Sequence, residues 1–322
     1  MAVIVNTSPG FGKHGRVPDL IAERGWELVR CDDAAKPDGG LSEHLPRADV
    51  LVVGLIGADG ATVAQGPGLK GVVKHGVGVD NIDIPACTAA GLPVCNTPGA
   101  NADAVAELAV GLMFSMARAI PQGHASVVSG GWDRRVGTQL GGKTLGIVGL
   151  GNIGKRLAKL AQGLGMSVMA SDKYPDTAFA EAHGIEMLEL DAVLARSDYV
   201  SLHVFGGADN AALIDADALQ KMKPTAGLIN LARGEVVDLD AVAAALAADR
   251  LGAVAIDAYV SEPPDTAHPV FSHPRAVFTP HSGADTAEAV ENVGLMVIES
   301  IDALLAGDPP PRCLNADDLA AR

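Results

Sequence analysis

The chain has 322 residues, 48% of them hydrophobic and 20% charged, with a formal net charge of −15 at pH 7. That length favours two domains over a single core. The acidic balance excludes the basic face that nucleic acid needs and argues against anionic membranes.

The N-terminus, MAVIVNT, has no basic segment followed by a long apolar run. No apolar stretch reaches the roughly 20 residues needed to span a bilayer. A cytoplasmic protein without a membrane partner is expected. Short apolar runs then alternate with helix-length segments, the pattern of parallel α/β sheets. A first series comprises AVIVNT (2–7), WELVRC (26–31), DVLVVGL (49–55), GVVKHG (71–76) and PVCNT (93–97). After it, NTPGA (96–100) brings Pro98 and Gly99 together as a hinge or crossover. Residues 101–118 read as a helix with Asn101 as its N-cap. A second series comprises TLGIVG (144–149), MSVMASD (166–172), YVSLHV (199–204), GLINLA (227–232), GAVAIDAY (252–259) and AVFTPH (276–281). A last helix, 287–307, precedes an extended tail. Two sets of strands imply two sheets and hence two α/β domains. Cys31, Cys87, Cys95 and Cys313 form no C-x-x-C, so reduced, mostly buried thiols are expected and neither a disulfide framework nor a metal site.

GLGNIG (149–154) places Gly149, Gly151 and Gly154 in G-x-G-x-x-G spacing, after an apolar strand and at the opening of a helix. Asp172 ends the next strand, as a dinucleotide site requires. Gly149 permits the tight turn, Gly151 lets the backbone approach a pyrophosphate, and Gly154 allows close strand–helix packing. The helix start supplies amide donors and positive potential. Asp172 suits ribose hydroxyls and would repel a 2′-phosphate, favouring NAD over NADP, although Lys173 could swing toward a phosphate. A methyltransferase also uses a glycine-rich first turn but would not account for the residues downstream.

In a doubly wound sheet, ligands sit beyond the carboxyl ends of the strands. Arg233 follows an apolar run that stops at Ala232, where a guanidinium could grip a carboxylate or merely pair with a nearby acid. The next strand delivers Asp257 and then Glu262 before a double proline; the last delivers His281. Histidine suits proton transfer near neutral pH, and a neighbouring carboxylate would orient its ring. His268 and His273 fall in a proline-rich loop and read as turn residues.

GLGNIG, INLARGEVVD, DAYVSEPP and FTPHSGADT, in this order and spacing, resemble the successive signatures of the NAD-dependent D-2-hydroxyacid dehydrogenases. KHGVGVDNIDI (74–84) and NTPGANADAVAE (96–107) lean toward the 3-phosphoglycerate dehydrogenase branch. The resemblance covers nearly the whole chain. It implies two doubly wound parallel-sheet domains: a Rossmann NAD-binding domain, 99–285, inserted into a flavodoxin-like substrate domain, 1–98 and 286–322. Arg233, Glu262 and His281 are implied as the catalytic set. Asn152, Ile153, Val204, Leu231, Ala232, Asp257, Gly283 and Val77 join the glycines and Asp172 around NAD. Lys74, His75, Gly76 and Val77, with Arg233, are implied at the substrate.

The implied reaction is hydride transfer between nicotinamide and C2 of a small 2-oxo or D-2-hydroxy acid. His281 exchanges the proton, Glu262 orients it, and Arg233 binds the carboxylate and polarises the C2 oxygen. Phosphoglycerate-type members usually carry an arginine where this chain has Gly54 and Leu55, a departure that keeps hydroxypyruvate, glyoxylate and other small acids open. RCLNADDLAAR (312–322) closes the sequence, and no regulatory C-terminal domain of the kind some phosphoglycerate dehydrogenases have is expected. Phosphite dehydrogenases share the trio, and NAD-binding corepressors share the architecture. Family members are commonly dimers through the nucleotide domain. Residues 101–118 and 127–135 could supply that surface, and Trp132 reads equally as interface or as core.

Overall fold

The computed structural model describes residues 1–31, 36, 38–54 and 56–321. The chain divides into two compact units, Met1–Asn101 with Asp285–Arg322, and Ala102–Ala284.

The discontinuous unit holds β1 (Val3–Asn6), β2 (Glu27–Arg30), β3 (Val50–Val53), β4 (Gly71–Lys74) and β5 (Val94–Cys95). All pair in parallel in the order β2-β1-β3-β4-β5. Both faces of the sheet are covered, and so β1, β3 and β4 are largely apolar runs without polar alternation, whereas the edge strand β2 is only half-buried. The period of two divides them: Ile4, Val50, Val52 and Val73 pack against Val17, Ile21, Val297 and Ile301 from the helices Val17–Glu23 and Ala287–Ala306. Val5, Leu51, Val53 and Val72 face the opposite way, onto Leu41, Leu45, Val63 and Cys87. Each fully buried aliphatic side chain stabilises by about 1.5–3 kcal/mol. Cys95 and Cys313, distant in the chain, meet across an isolated antiparallel bridge, and burial pushes the Cys95 thiol up to about 12.

The second unit holds β6 (Thr144–Val148), β7 (Ser167–Ser171), β8 (Glu186–Met187), β9 (Tyr199–Leu202), β10 (Gly227–Asn230), β11 (Ala253–Ile256) and β12 (Ala276–Phe278). The strands are parallel in the order β12-β11-β10-β9-β6-β7-β8. Strand order reverses between β6 and β9, and the carboxyl ends there form the crevice where such sheets take ligands. β8, two residues long, has no apolar run that sequence patterning could detect. The helix Ala102–Arg118 packs its buried face on one side of the sheet with Leu157, Ala158 and Ala161 of the helix Asn152–Gly163. Asn101 stands directly before the first of these helices, but its Oδ1 finds no hydrogen-bond partner among the described residues, so the expected side-chain cap is not made.

Trp132 is 79% exposed, which removes it from the core. Ile120, Val127, Val128 and Val136 are exposed in the same stretch. Among the described residues no single helix is long and apolar enough to cross a membrane.

Candidate active site

β6 runs into Gly149, whose φ of +98° lies in the left-handed region. A Cβ there would sit 2.5 Å from the His203 carbonyl oxygen and 3.1 Å from Val204 N, so the turn lies against the end of β9. A Cβ on Gly154 would be 2.3 Å from the Gly149 oxygen, whereas one on Gly151 would meet nothing within 4 Å. Two glycines therefore permit close packing and the third leaves open backbone. The helix Asn152–Gly163 starts from Gly151 without a side-chain cap. Its first amides, Asn152 and Ile153 included, receive no capping side chain, the condition for an anion site. Asp172 follows β7 and accepts from Leu150 N at 2.6 Å and from Tyr174 N at 2.7 Å. These bonds aim a carboxylate at the rim of the turn. Lys173 leans to Asp209 at 3.3 Å, both side chains being largely exposed. Open backbone, an uncapped helix start and a tethered acid fit the pyrophosphate and ribose of a dinucleotide.

Leu231, Ala232 and Arg233 leave the end of β10. Asn230, 1% exposed, brackets this turn: its Oδ1 accepts from Ala232 N at 3.0 Å and its Nδ2 donates to the Arg233 oxygen at 2.9 Å. The partly buried Arg233 donates from Nη1 to the Ala232 oxygen at 2.8 Å. A Cβ on the following Gly234 would be 2.1 Å from the Tyr259 carbonyl carbon, so the arginine turn is seated on the segment after β11.

After β12 the chain turns sharply at His281, whose φ of +51° is left-handed. That conformation costs an L-residue roughly 1–2 kcal/mol and persists only where the surroundings impose it. The imposing group is Asp257, 2% exposed at the end of β11. Its Oδ1 accepts from Thr279 Oγ1 at 2.6 Å and Ser282 N at 2.8 Å, and its Oδ2 accepts from Gly283 N at 3.0 Å. Asp257, expected at the cofactor, thus clamps both sides of His281. The His281 ring is 46% exposed, and its Nδ1 lies 2.7 Å from Glu262 Oε1. A carboxylate can only accept, so Nδ1 carries the proton and Nε2 is left to exchange one. His268 and His273 do not join this group: each accepts a backbone N–H two residues on, from Val270 and Arg275, as turn residues do. Asn230, Thr279, Ser282 and Tyr259 were not singled out by sequence. Only the placement of polar side chains at strand ends hinted at them.

In the discontinuous unit, Lys74 ends β4 and donates to the Gly54 oxygen and to Asn81 Oδ1, both at 2.8 Å. His75 Nδ1 is 3.0 Å from Ser8 Oγ, and its Nε2 is buried without a partner among the described residues. Burial, helped by the Lys74 charge, lowers the His75 pKa to about 4, so the ring is neutral at physiological pH. Gly76, at φ +141°, and Val77 have their carbonyls bonded by Thr97 N at 3.0 Å and Asn96 Nδ2 at 2.8 Å. A Cβ on Gly54 would fall 2.3 Å from Ser8 Cα. No arginine fits there without moving that backbone. Leu55 lies outside the described residues.

The family described as D-isomer specific 2-hydroxyacid dehydrogenase, NAD binding domain, matches residues 110–283. D-3-phosphoglycerate dehydrogenase of Mycobacterium tuberculosis is 40% identical over 302 residues, covering 92% of this chain but 57% of that protein. The chain therefore spans little more than half the length of that relative. Among solved structures, the TT0316 protein from Thermus thermophilus has a TM-score of 0.87 at 31% identity, with 98% of this chain and 100% of that one covered. A glyoxylate reductase from Paecilomyes thermophila has a TM-score of 0.85 at 25% identity, with 98% and 99% covered.

Proposed function

Because this chain belongs to the D-isomer specific 2-hydroxyacid dehydrogenase family, we propose that it reversibly reduces a small 2-oxo acid to the D-2-hydroxy acid with NAD as cofactor. The observation that carries this reading is the His281–Glu262 pair, 2.7 Å apart with His281 in a left-handed turn, in the same unit as the dinucleotide cradle.

Gly149, Gly151, Gly154, Asn152 and Ile153 hold the pyrophosphate, and Asp172 holds the ribose. Val204, Leu231, Ala232 and Gly283 border the nicotinamide, and the family resemblance also assigns Val77 to the cofactor. When bound, the nicotinamide supplies or accepts the hydride. In reduction His281 gives its Nε2 proton to the C2 oxygen; in oxidation the neutral ring removes the hydroxyl proton. Glu262 holds the ring in one tautomer and orientation. Arg233 binds the carboxylate and stabilises negative charge growing on the C2 oxygen. The discontinuous unit serves the substrate through Lys74, His75 and the backbone of Gly76 and Val77. The close approach of Ser8 to Gly54 favours a small, non-phosphorylated acid such as hydroxypyruvate or glyoxylate over 3-phosphoglycerate. The exposed apolar stretch from Ile120 to Val136 is the surface for a homodimer.

The test is NADH oxidation against a panel of 2-oxo acids that includes phosphorylated and non-phosphorylated members. Turnover of at least one acid, with a preference for the small unphosphorylated ones, is expected. Tight NAD binding with no turnover of any acid would instead indicate an interaction module.

A further inference from the structure

Three loops after β10, β11 and β12 carry Arg233, Glu262 and His281, and one residue touches all three. The Tyr259 hydroxyl donates to the Thr279 oxygen at 2.9 Å and is shared with the Ile256 oxygen at 3.1 Å. The Thr279 oxygen also accepts the amide of His281 at 3.0 Å, so the phenol bonds the carbonyl on which the histidine turn closes. The Tyr259 backbone N–H donates to Glu262 Oε1 at 3.2 Å, the oxygen that also faces His281. The Tyr259 carbonyl carbon is the atom against which Gly234, next to Arg233, is packed.

We propose that Tyr259 is a positioning residue for the His281–Glu262 pair, its hydroxyl and backbone joining the loops that carry the histidine, the glutamate and the arginine. The inference rests on the dehydrogenase reading of this site. It assigns the phenol oxygen, and not merely an aromatic ring, a part in the reaction. The ring has its own packing, stacked on Phe271 at 6.0 Å between centroids. Phenylalanine would preserve that contact and lose the hydroxyl alone. Burial, with the nearby Asp257 and Glu262 charges, pushes the phenol up to about 12. Tyr259 therefore remains a neutral donor across the working pH range. Asp257 fixes Thr279, Ser282 and Gly283 from the carboxylate side, but these bonds reach neither the Thr279 carbonyl nor Glu262. Beside the His281–Glu262 contact itself and the Asp257 clamp, the Tyr259 hydroxyl adds a bond from the loop of the partner acid to the carbonyl on which the histidine turn closes. Without the hydroxyl the Thr279 carbonyl keeps the His281 amide alone, and the turn, still clamped by Asp257, loses its bond to the Tyr259 side chain and is held less firmly relative to Glu262.

The decisive variant is Tyr259→Phe, studied as the full chain beside the wild type and Val242→Ala, a core variant of the same unit. With the preferred 2-oxo acid, kcat should fall about three- to tenfold, the loss of one ordinary hydrogen bond. KM and NADH affinity should stay within about twofold, as expected of a residue that touches neither ligand, and the pH profile of kcat should shift. Long-range ¹H–¹⁵N spectra of the histidine rings give a readout that needs no substrate. In wild type the two His281 nitrogens should differ as a single tautomer held by Glu262; in Tyr259→Phe they should broaden or converge. Val242→Ala should lose stability while keeping the wild-type His281 spectrum and pH profile. A Tyr259→Phe spectrum identical to wild type overturns the inference, as does a loss of activity matched by Val242→Ala at equal loss of stability. Should the wild type turn over no 2-oxo acid, the dehydrogenase reading fails, and the ring spectra still decide whether Tyr259 orders the pair.

Discussion

The carboxyl ends of the two sheets present histidines in opposite conditions. In the seven-stranded sheet His281 is nearly half exposed, held in a left-handed turn and bonded through Nδ1 to a carboxylate. In the five-stranded sheet His75 is bonded to a hydroxyl and buries its Nε2 without a partner among the described residues. His203, at the end of β9, resembles His75: Nε2 meets Ser201 Oγ at 2.9 Å, Nδ1 is likewise buried and unpartnered, and burial lowers its pKa to about 4. An imidazole that exchanges protons needs access and an anionic partner; one buried without such a partner stays neutral. Position at a strand end is common to all three, so it cannot by itself mark the histidine proposed to exchange the proton.

Removing the first kind of histidine should hurt chemistry and spare binding. His281→Ala is expected to lower kcat by about 10²–10⁴-fold, the usual worth of a positioned acid–base group. NADH affinity, followed by fluorescence titration, should stay near wild type; a variant that retained full turnover would end the assignment of the proton to His281.

The scaffold beneath that histidine should show an intermediate effect. Asp257→Asn keeps the shape but turns an amide NH₂ toward donors that a carboxylate now satisfies. Stability should fall by about 1–3 kcal/mol, with kcat falling alongside it. Urea unfolding together with steady-state kinetics would reveal this. Unchanged stability would mean that the bonds to Ser282 and Gly283 do not hold the turn.

The buried histidines should speak through acid stability, with activity at neutral pH little changed for His203. Both have folded pKa values of about 4 against an ordinary 6.5. Between those values the unfolded chain binds more protons, so stability is complete above 6.5 and declines as pH falls toward 4. Each ring contributes a slope of no more than about 1.4 kcal/mol per pH unit. His203→Asn should flatten the decline between about pH 6.5 and 4 in urea titrations. A decline as steep as wild type would show that His203 is not held neutral.

What was legible in the sequence was whatever depends on neighbours along the chain. Buried strands of Val and Ile, the glycine spacing of 149–154 and the acid just after β7 all follow from local backbone sterics and periodicity. The resemblance of four motifs in order then named Arg233, Glu262 and His281. Their arrangement depended on bonds between residues far apart in sequence. Asp257 reaches Thr279, Ser282 and Gly283 across more than twenty positions, and the Tyr259 hydroxyl reaches Thr279 across twenty. No local pattern announces such partners, because any acid or phenol at a strand end looks alike until the sheet sets strands side by side. Gly54 shows the same division. The sequence offers only a missing arginine, whereas the packed sheet brings Ser8 so close that a side chain cannot enter. Local sterics wrote the elements into the chain; the register of parallel strands, which only the folded sheet possesses, decided which of their ends could do chemistry.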